Sequence, residues 1–145
     1  MRENLRTTYL VIFLSTFFLQ FQQSLSFYDD SKSSTRIAIA AVGDSASSEI
    51  SKRAGRAPYY LVFDGNGVFL KAVRNASQMQ GRGASFEVIN LLLKESVKTV
   101  IAGNFGDKMK NLLKTNKIEY FERSGIAKEI VETFTKNKTS KNAQK

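Results

Sequence analysis

The chain has 145 residues, room for one ordinary domain, and its 42% hydrophobic and 24% charged residues describe a sequence that folds. It has no Cys and no His, which excludes disulfides, zinc, haem or iron–sulfur sites on protein thiolates or imidazoles, and every nucleophile–His catalytic pair. Its 22 Lys and Arg against 13 Asp and Glu give a net charge of +9, which favours an anionic partner such as phosphate, nucleic acid or a lipid surface.

Residues 1–26 begin with Arg2 and Arg6, continue through the apolar run LVIFLSTFFLQF and leave through Ser24-Leu25-Ser26. That is the pattern of a signal peptide or an uncleaved signal-anchor. The run is shorter than the roughly 20 apolar residues a spanning helix needs. Export, or membrane anchoring through this segment alone, is the expectation. A buried helix, or a start codon further downstream that would leave the domain cytoplasmic, are the alternatives. Residues 27–35, with Asp29, Asp30 and several Ser and Thr, form a linker.

The domain occupies residues 36–135. Residues 37–42 (IAIAAV) are a continuous apolar run closed by Gly43-Asp44, as in a strand buried on both faces. The polar loop GDSASSEISKRAGRAP follows. Residues 59–63 (YYLVF) predict a second strand and Asp64-Gly65-Asn66-Gly67 a turn. Residues 68–74 predict a third strand with alternating faces, so the two form an antiparallel hairpin. After a second polar loop containing Gly81-Arg82-Gly83, residues 85–95 read as a helix with Phe86, Ile89, Leu92 and Leu93 on its inner stripe.

A short buried strand at 99–102 ends in Gly103-Asn104-Phe105-Gly106. A helix over 107–116 then turns Met109, Leu112 and Leu113 inward and Lys108, Lys110, Lys114 and Lys117 mostly outward. Residues 118–122 are the last strand. Ser124 is placed to cap a final helix whose apolar face is Ile126, Ile130, Val131 and Phe134. The basic tail 136–145 lacks apolar periodicity and is expected to be disordered. The order β-β-β-α-β-α-β-α implies an α/β domain with a mixed five-stranded sheet, the later strands parallel to the first.

Three stretches together resemble one family. IAIAAVGDSASSEISKRAGRAPYYLVFD is similar to its opening strand, loop and second strand, Gly81-Arg82-Gly83-Ala84 to the segment entering its first helix, and VIAGNFGDKMKNLLKTNKIEYF to its closing half. The family is that of dinitrogenase iron–molybdenum cofactor biosynthesis domains. The resemblance covers nearly all of the chain beyond residue 35. It implies a ribonuclease H-like three-layer fold and a role in binding or carrying an iron–sulfur-derived cluster. Family members often carry His or Cys where this chain has Lys52-Arg53-Ala54-Gly55 and Gln78-Met79-Gln80-Gly81. An iron–molybdenum–sulfur cluster or its precursor would therefore be held without Cys or His ligands, by cations and backbone N–H groups.

Ligands of open α/β sheets lie beyond the carboxyl ends of the parallel strands, which sets residues 43–45 beside 103–106. The candidate anion-binding residues are Asp44, Arg53, Arg56, Arg82, Asn104 and the backbone of Gly106. Against this, the glycines can serve only the turn and Arg56 can serve only to hold its loop. The lysines of the 107–116 helix have no aromatic residues interleaved, which argues for a solvated face and against nucleic acid. Asp44 and Asp64 end antiparallel neighbours at opposite ends, so no carboxylate cluster for metal-dependent catalysis is expected. The reading is a non-catalytic binding or carrier domain for an anionic iron–molybdenum–sulfur species or related small anion, whose partner is that ligand or a metal-cluster protein. The alternative is an interaction module of the same descent that has lost cluster binding.

Overall fold

The computed structural model describes residues 35–142. The signal peptide or anchor at 1–26, nearly all of the linker, and the last three residues lie outside the described residues. Strands β1 (Arg36–Ala41), β2 (Tyr59–Phe63), β3 (Phe69–Arg74), β4 (Val97–Ala102) and β5 (Glu119–Glu122) form one sheet in the order β3-β2-β1-β4-β5. β1 runs antiparallel to β2, and β2 to β3, whereas β1–β4 and β4–β5 are parallel. Helices α1 (Ala84–Lys94), α2 (Asp107–Thr115) and α3 (Ala127–Asn142) complete the α/β domain.

The strand period of two divides the core into two layers. Ala38, Ala40, Tyr60, Val100 and Ala102 face α1 and α2, where Val88, Ile89, Leu92, Met109 and Leu113 cover them. Ile37, Ile39, Leu61, Phe63 and Ile101 face Ala127 and Val131 of α3. On β1, Ala38 and Ala40 lie under the two helices, whereas Ile37 and Ile39, followed by Ala41, lie under α3.

Several expectations need correction. In α1 the buried residues are Val88, Ile89 and Leu92, while Phe86 and Leu93 are 57% and 46% exposed, so the inner stripe is rotated from the expected one. β3 begins at Phe69, and its alternation is broken by a register shift opposite Val62/Phe63. The Asp64 carboxylate accepts the N–H groups of Asn66 and Val68 at 2.9 and 2.8 Å, which commits Val68 to the turn. Phe69 then packs edge-on against Phe63 with ring centroids 5.5 Å apart.

Ser124 does not cap α3. Gly125 turns the chain at φ +119°, Ile126 bridges to Glu49, and the helix starts at Ala127. Within the stretch 136–145, expected to lack structure, α3 continues to Asn142. Lys138 lies 6.0 Å over the Phe134 ring, so a polar stretch extends a helix already anchored by its apolar first half. Among the described residues, no helix is long and apolar enough to cross a membrane.

Candidate anion site

The site is built where the chain doubles back after β1. Ile50 bridges Ala41, the Ser51 N–H donates to the Ala40 carbonyl at 2.8 Å, and the Ser51 carbonyl accepts the Gly103 N–H at 2.9 Å. The Ala54 N–H then donates to the Asn104 carbonyl at 3.0 Å. Residues 50–54 thus occupy the place beside 103–106 that was expected for 43–45. The approach is close enough that a Cβ on Gly103 would lie 2.8 Å from the Lys52 Cα. The 43–48 loop lies instead at the start of α3, whose Ala127 and Lys128 N–H groups donate to the Ser48 and Ala46 carbonyls at 3.0 and 2.9 Å. Loop carbonyls satisfy this helix terminus in place of a capping side chain.

The doubled-back segment leads into a 3₁₀ turn at Ala54–Arg56, which is fastened from below. The wholly buried Tyr60 hydroxyl donates to the Ala54 carbonyl at 2.7 Å, and the Asn75 side-chain amide donates to the Ala57 carbonyl at 2.8 Å. Burial pushes the Tyr60 phenol far above the ordinary tyrosine range. Arg56 reaches across to the 75–83 loop and donates from Nη1 to the carbonyls of Gln78, at 3.0 Å, and Gln80. It holds its loop, as the structural alternative anticipated, and it also faces two cavities.

One cavity, of about 360 Å³, is lined by Ser51, Lys52, Arg53, Arg56, Gln78 and Met79. The other, of about 410 Å³, is lined by Arg56, Arg82 and Lys108 together with Gly55 and residues 81–85. Neither lining contains an acid, and among the described residues none of these five cations is ion-paired. Ala84 and Ser85 bring the first turn of α1 to the second cavity, and neither α1 nor α2 is capped by a side chain. Free first-turn N–H groups and the helix dipole add to the positive potential there.

Of the candidates read from the sequence, Arg56 lines both cavities, Arg53 the first and Arg82 the second. Asp44 is exposed on the loop that serves α3, and it lines neither cavity. The exposed Asn104 contributes its carbonyl to the Ala54 N–H, and Gly106 is the residue before α2; neither lines either of these two cavities. A carboxylate stands at that end of the crevice instead. Glu122 accepts Lys110 Nζ at 3.0 Å and the Phe105 N–H at 3.3 Å. These bonds pull its carboxyl below the usual range and raise Lys110 above its own.

Sequence reasoning missed Lys52 and Lys108. Lys108 carried a signal, since a cation in the first turn opposes the helix dipole and so calls for another reason to be there. Among the described residues no three carboxylates are grouped to hold a metal ion.

The sequence profile described as dinitrogenase iron–molybdenum cofactor matches residues 35–137. The chain belongs to that family. Among solved structures, this family member is similar to the orange protein of Desulfovibrio gigas in its apo form, at 27% identity and a TM-score of 0.66, covering 70% of this chain and 88% of that one. It is likewise similar to a Thermotoga protein provisionally assigned as NifB, at 28% identity and a TM-score of 0.60, covering 70% and 87%. No curated protein matches it. For the cofactor named by the family, the donor set fits in one way only. Without thiolate or imidazole the chain cannot supply the usual soft metal ligands, but its guanidinium, ammonium and backbone N–H groups can hold an anion by its outer atoms.

Proposed function

We propose that this family member is a non-catalytic carrier that holds an anionic iron–molybdenum–sulfur species, or a related small anion, in the cationic cavities flanking Arg56. The observation that carries the reading is the gathering of Lys52, Arg53, Arg56, Arg82 and Lys108 around acid-free linings with no ion-pair partner among the described residues. Unneutralised like charges repel one another, and an anion removes that cost. We read the three-layer architecture as ribonuclease H-like in descent, put to carrying and not to metal-dependent hydrolysis. The cargo would pass to and from a metal-cluster protein through the open side of the cavities.

Anaerobic titration of the protein with an iron–molybdenum–sulfur species, followed by visible absorbance and thermal shift, tests the proposal. Saturable binding that is weakened in both Arg56→Ala and Arg82→Ala supports it. Absence of any shift with cluster or small anion would move the assignment to an interaction module.

A further inference from the structure

The bonding of Arg56 bears on which atoms of the ligand meet the protein. Nη1 of a guanidinium has two N–H groups, and in Arg56 both go to main-chain carbonyls, those of Gln78 and Gln80. Among the described residues nothing accepts from Nε or Nη2. Those nitrogens share the opposite edge of the planar group, where parallel N–H bonds match two oxygens of one anion. The two carbonyls fix the plane before a ligand arrives, so little side-chain freedom remains to be lost on binding.

The surroundings are uniform in kind. Lys52 and Arg53 line one of the two cavities that Arg56 borders, and Arg82 and Lys108 line the other. All are hard N–H donors. Met79, 87% exposed, brings the one sulfur found in either lining, and a single thioether is a poor ligand for a metal cluster. Size does not discriminate between ligands. Cavities of about 360 and 410 Å³ correspond to roughly a dozen water volumes each, room for a small ion with solvent or for a cluster. Donor chemistry does discriminate. Oxygen holds its charge in compact lone pairs and accepts charge-assisted bonds at about 2.7–2.9 Å, whereas metal-bound sulfide is larger, more diffuse and a weaker acceptor.

Building on the anion-carrier reading, we infer that the Nε/Nη2 edge of Arg56 is a preformed fork for a tetrahedral oxyanion. The cargo is then recognised through terminal oxygens, as in an oxometalate or a phosphate, and not through sulfides. An Arg56→Lys substitution keeps the charge and removes the fork, so charge and geometry are separable.

The test is calorimetric titration of the full chain with sodium molybdate, inorganic phosphate and tetrathiomolybdate as separate probes. Molybdate or phosphate should bind at least about tenfold more tightly than tetrathiomolybdate, and the tighter of the two identifies the source of the oxyanion. Arg56→Lys should weaken the oxyanion by about tenfold or more and change thiomolybdate by less than about twofold. Tetrathiomolybdate binding as tightly as the oxyanions, or equal losses for both in Arg56→Lys, overturns the fork and leaves the carrier reading standing. Failure of all three probes while the iron–molybdenum–sulfur species still binds overturns the fork, and failure of that species as well removes the carrier reading itself. Should Arg56→Lys not fold, the Arg56 Nε–H resonance of the unaltered, ¹⁵N-labelled protein decides the matter. It shifts on addition of molybdate if the fork is used and stays put if it is not.

Discussion

Replacing Gly103 with alanine tests the closest approach in the molecule that bears on the site. The new Cβ would stand 2.8 Å from the Lys52 Cα and 3.0 Å from the Ser51 and Lys52 carbonyl oxygens. Non-bonded carbon atoms prefer about 3.5–4.0 Å, and the crowded atoms are main chain, so no side chain can swing away. Gly103 is not among the residues at positive φ, so the effect is one of space and not of backbone strain. Overpacking of this kind costs about 1–3 kcal/mol. Displacing residues 51–54 also stretches the bonds from Gly103 N–H to Ser51 and from Ala54 N–H to Asn104, worth about 1 kcal/mol each. Stretched and not broken, the two bonds together forfeit about 1 kcal/mol, so the expected loss is about 2–4 kcal/mol, or roughly 10–20 °C in Tm for a domain of this size. Urea unfolding followed by far-ultraviolet circular dichroism measures it, and the same displacement should weaken anion binding because Lys52 and Arg53 move with the segment. Gly55→Ala is the control, since its Cβ meets nothing within 4 Å and the change should be neutral or stabilise by about 0.4–1 kcal/mol. A Gly103→Ala protein within about 0.5 kcal/mol of the parent would refute the reasoning, because overpacking against main chain cannot be that mild.

Tyr60→Phe should cost about 1 kcal/mol in urea unfolding near neutral pH, since the Ala54 carbonyl still accepts the Ala57 N–H at 3.3 Å. The raised phenol pKa contributes stability that is intact below the unfolded value of about 10 and falls away as pH rises above it, so the parent should lose stability in alkali more steeply than the variant. The lowered Glu122 carboxyl works in the opposite limb: its contribution is present above the unfolded value near 4.5 and is lost as pH falls through the folded one. Glu122→Gln should therefore flatten the acid limb of a Tm-versus-pH curve at low salt, and molar salt should shrink the difference because the pair is exposed. Glu95, 11% exposed, holds Lys71 at 2.6 Å and Arg36 at 3.5 Å, and Glu95→Gln should cost about 1–2 kcal/mol in chemical unfolding after discounting for the exposed partners. A cost near zero would mean that this ion pair does not fasten β3 to the end of α1.

The hairpin was legible because its signals are local: apolar YYLVF, then a turn whose Asp64 supplies the acceptor for its own loop. The doubled-back segment was not. Ile50 and Ser51 each pair across the fold from within a polar stretch with no period, and their partners are fixed only once β1 and β4 lie side by side. The same cause misplaced Asp44, since the commitment of its loop to the first turn of α3 depends on that helix covering the far face of the sheet. Arg53, Arg56 and Arg82 could be picked out because basic residues in glycine-containing loops are conspicuous in a sequence. Lys108 was hidden among lysines that do face water. The helical continuation past Lys136 went unread because its support comes from the preceding apolar turns and not from its own composition.

The two margins of the sheet are unlike. At one, β5 is a strand of four residues that begins and ends in a glutamate, features that discourage a further strand from pairing there. At the other, β3 runs for six residues and opens with Phe69 and Leu70, 39% and 47% exposed, following Val68 at 57%. Its outward main-chain groups lie beside apolar side chains that water does not hold strongly. Any lengthening of the sheet by a foreign strand, in crowded solution or during recovery from stress, is thus directed to the hairpin side. That makes Leu70 a position where a charged replacement would discourage such pairing, whereas Phe69 is engaged with Phe63.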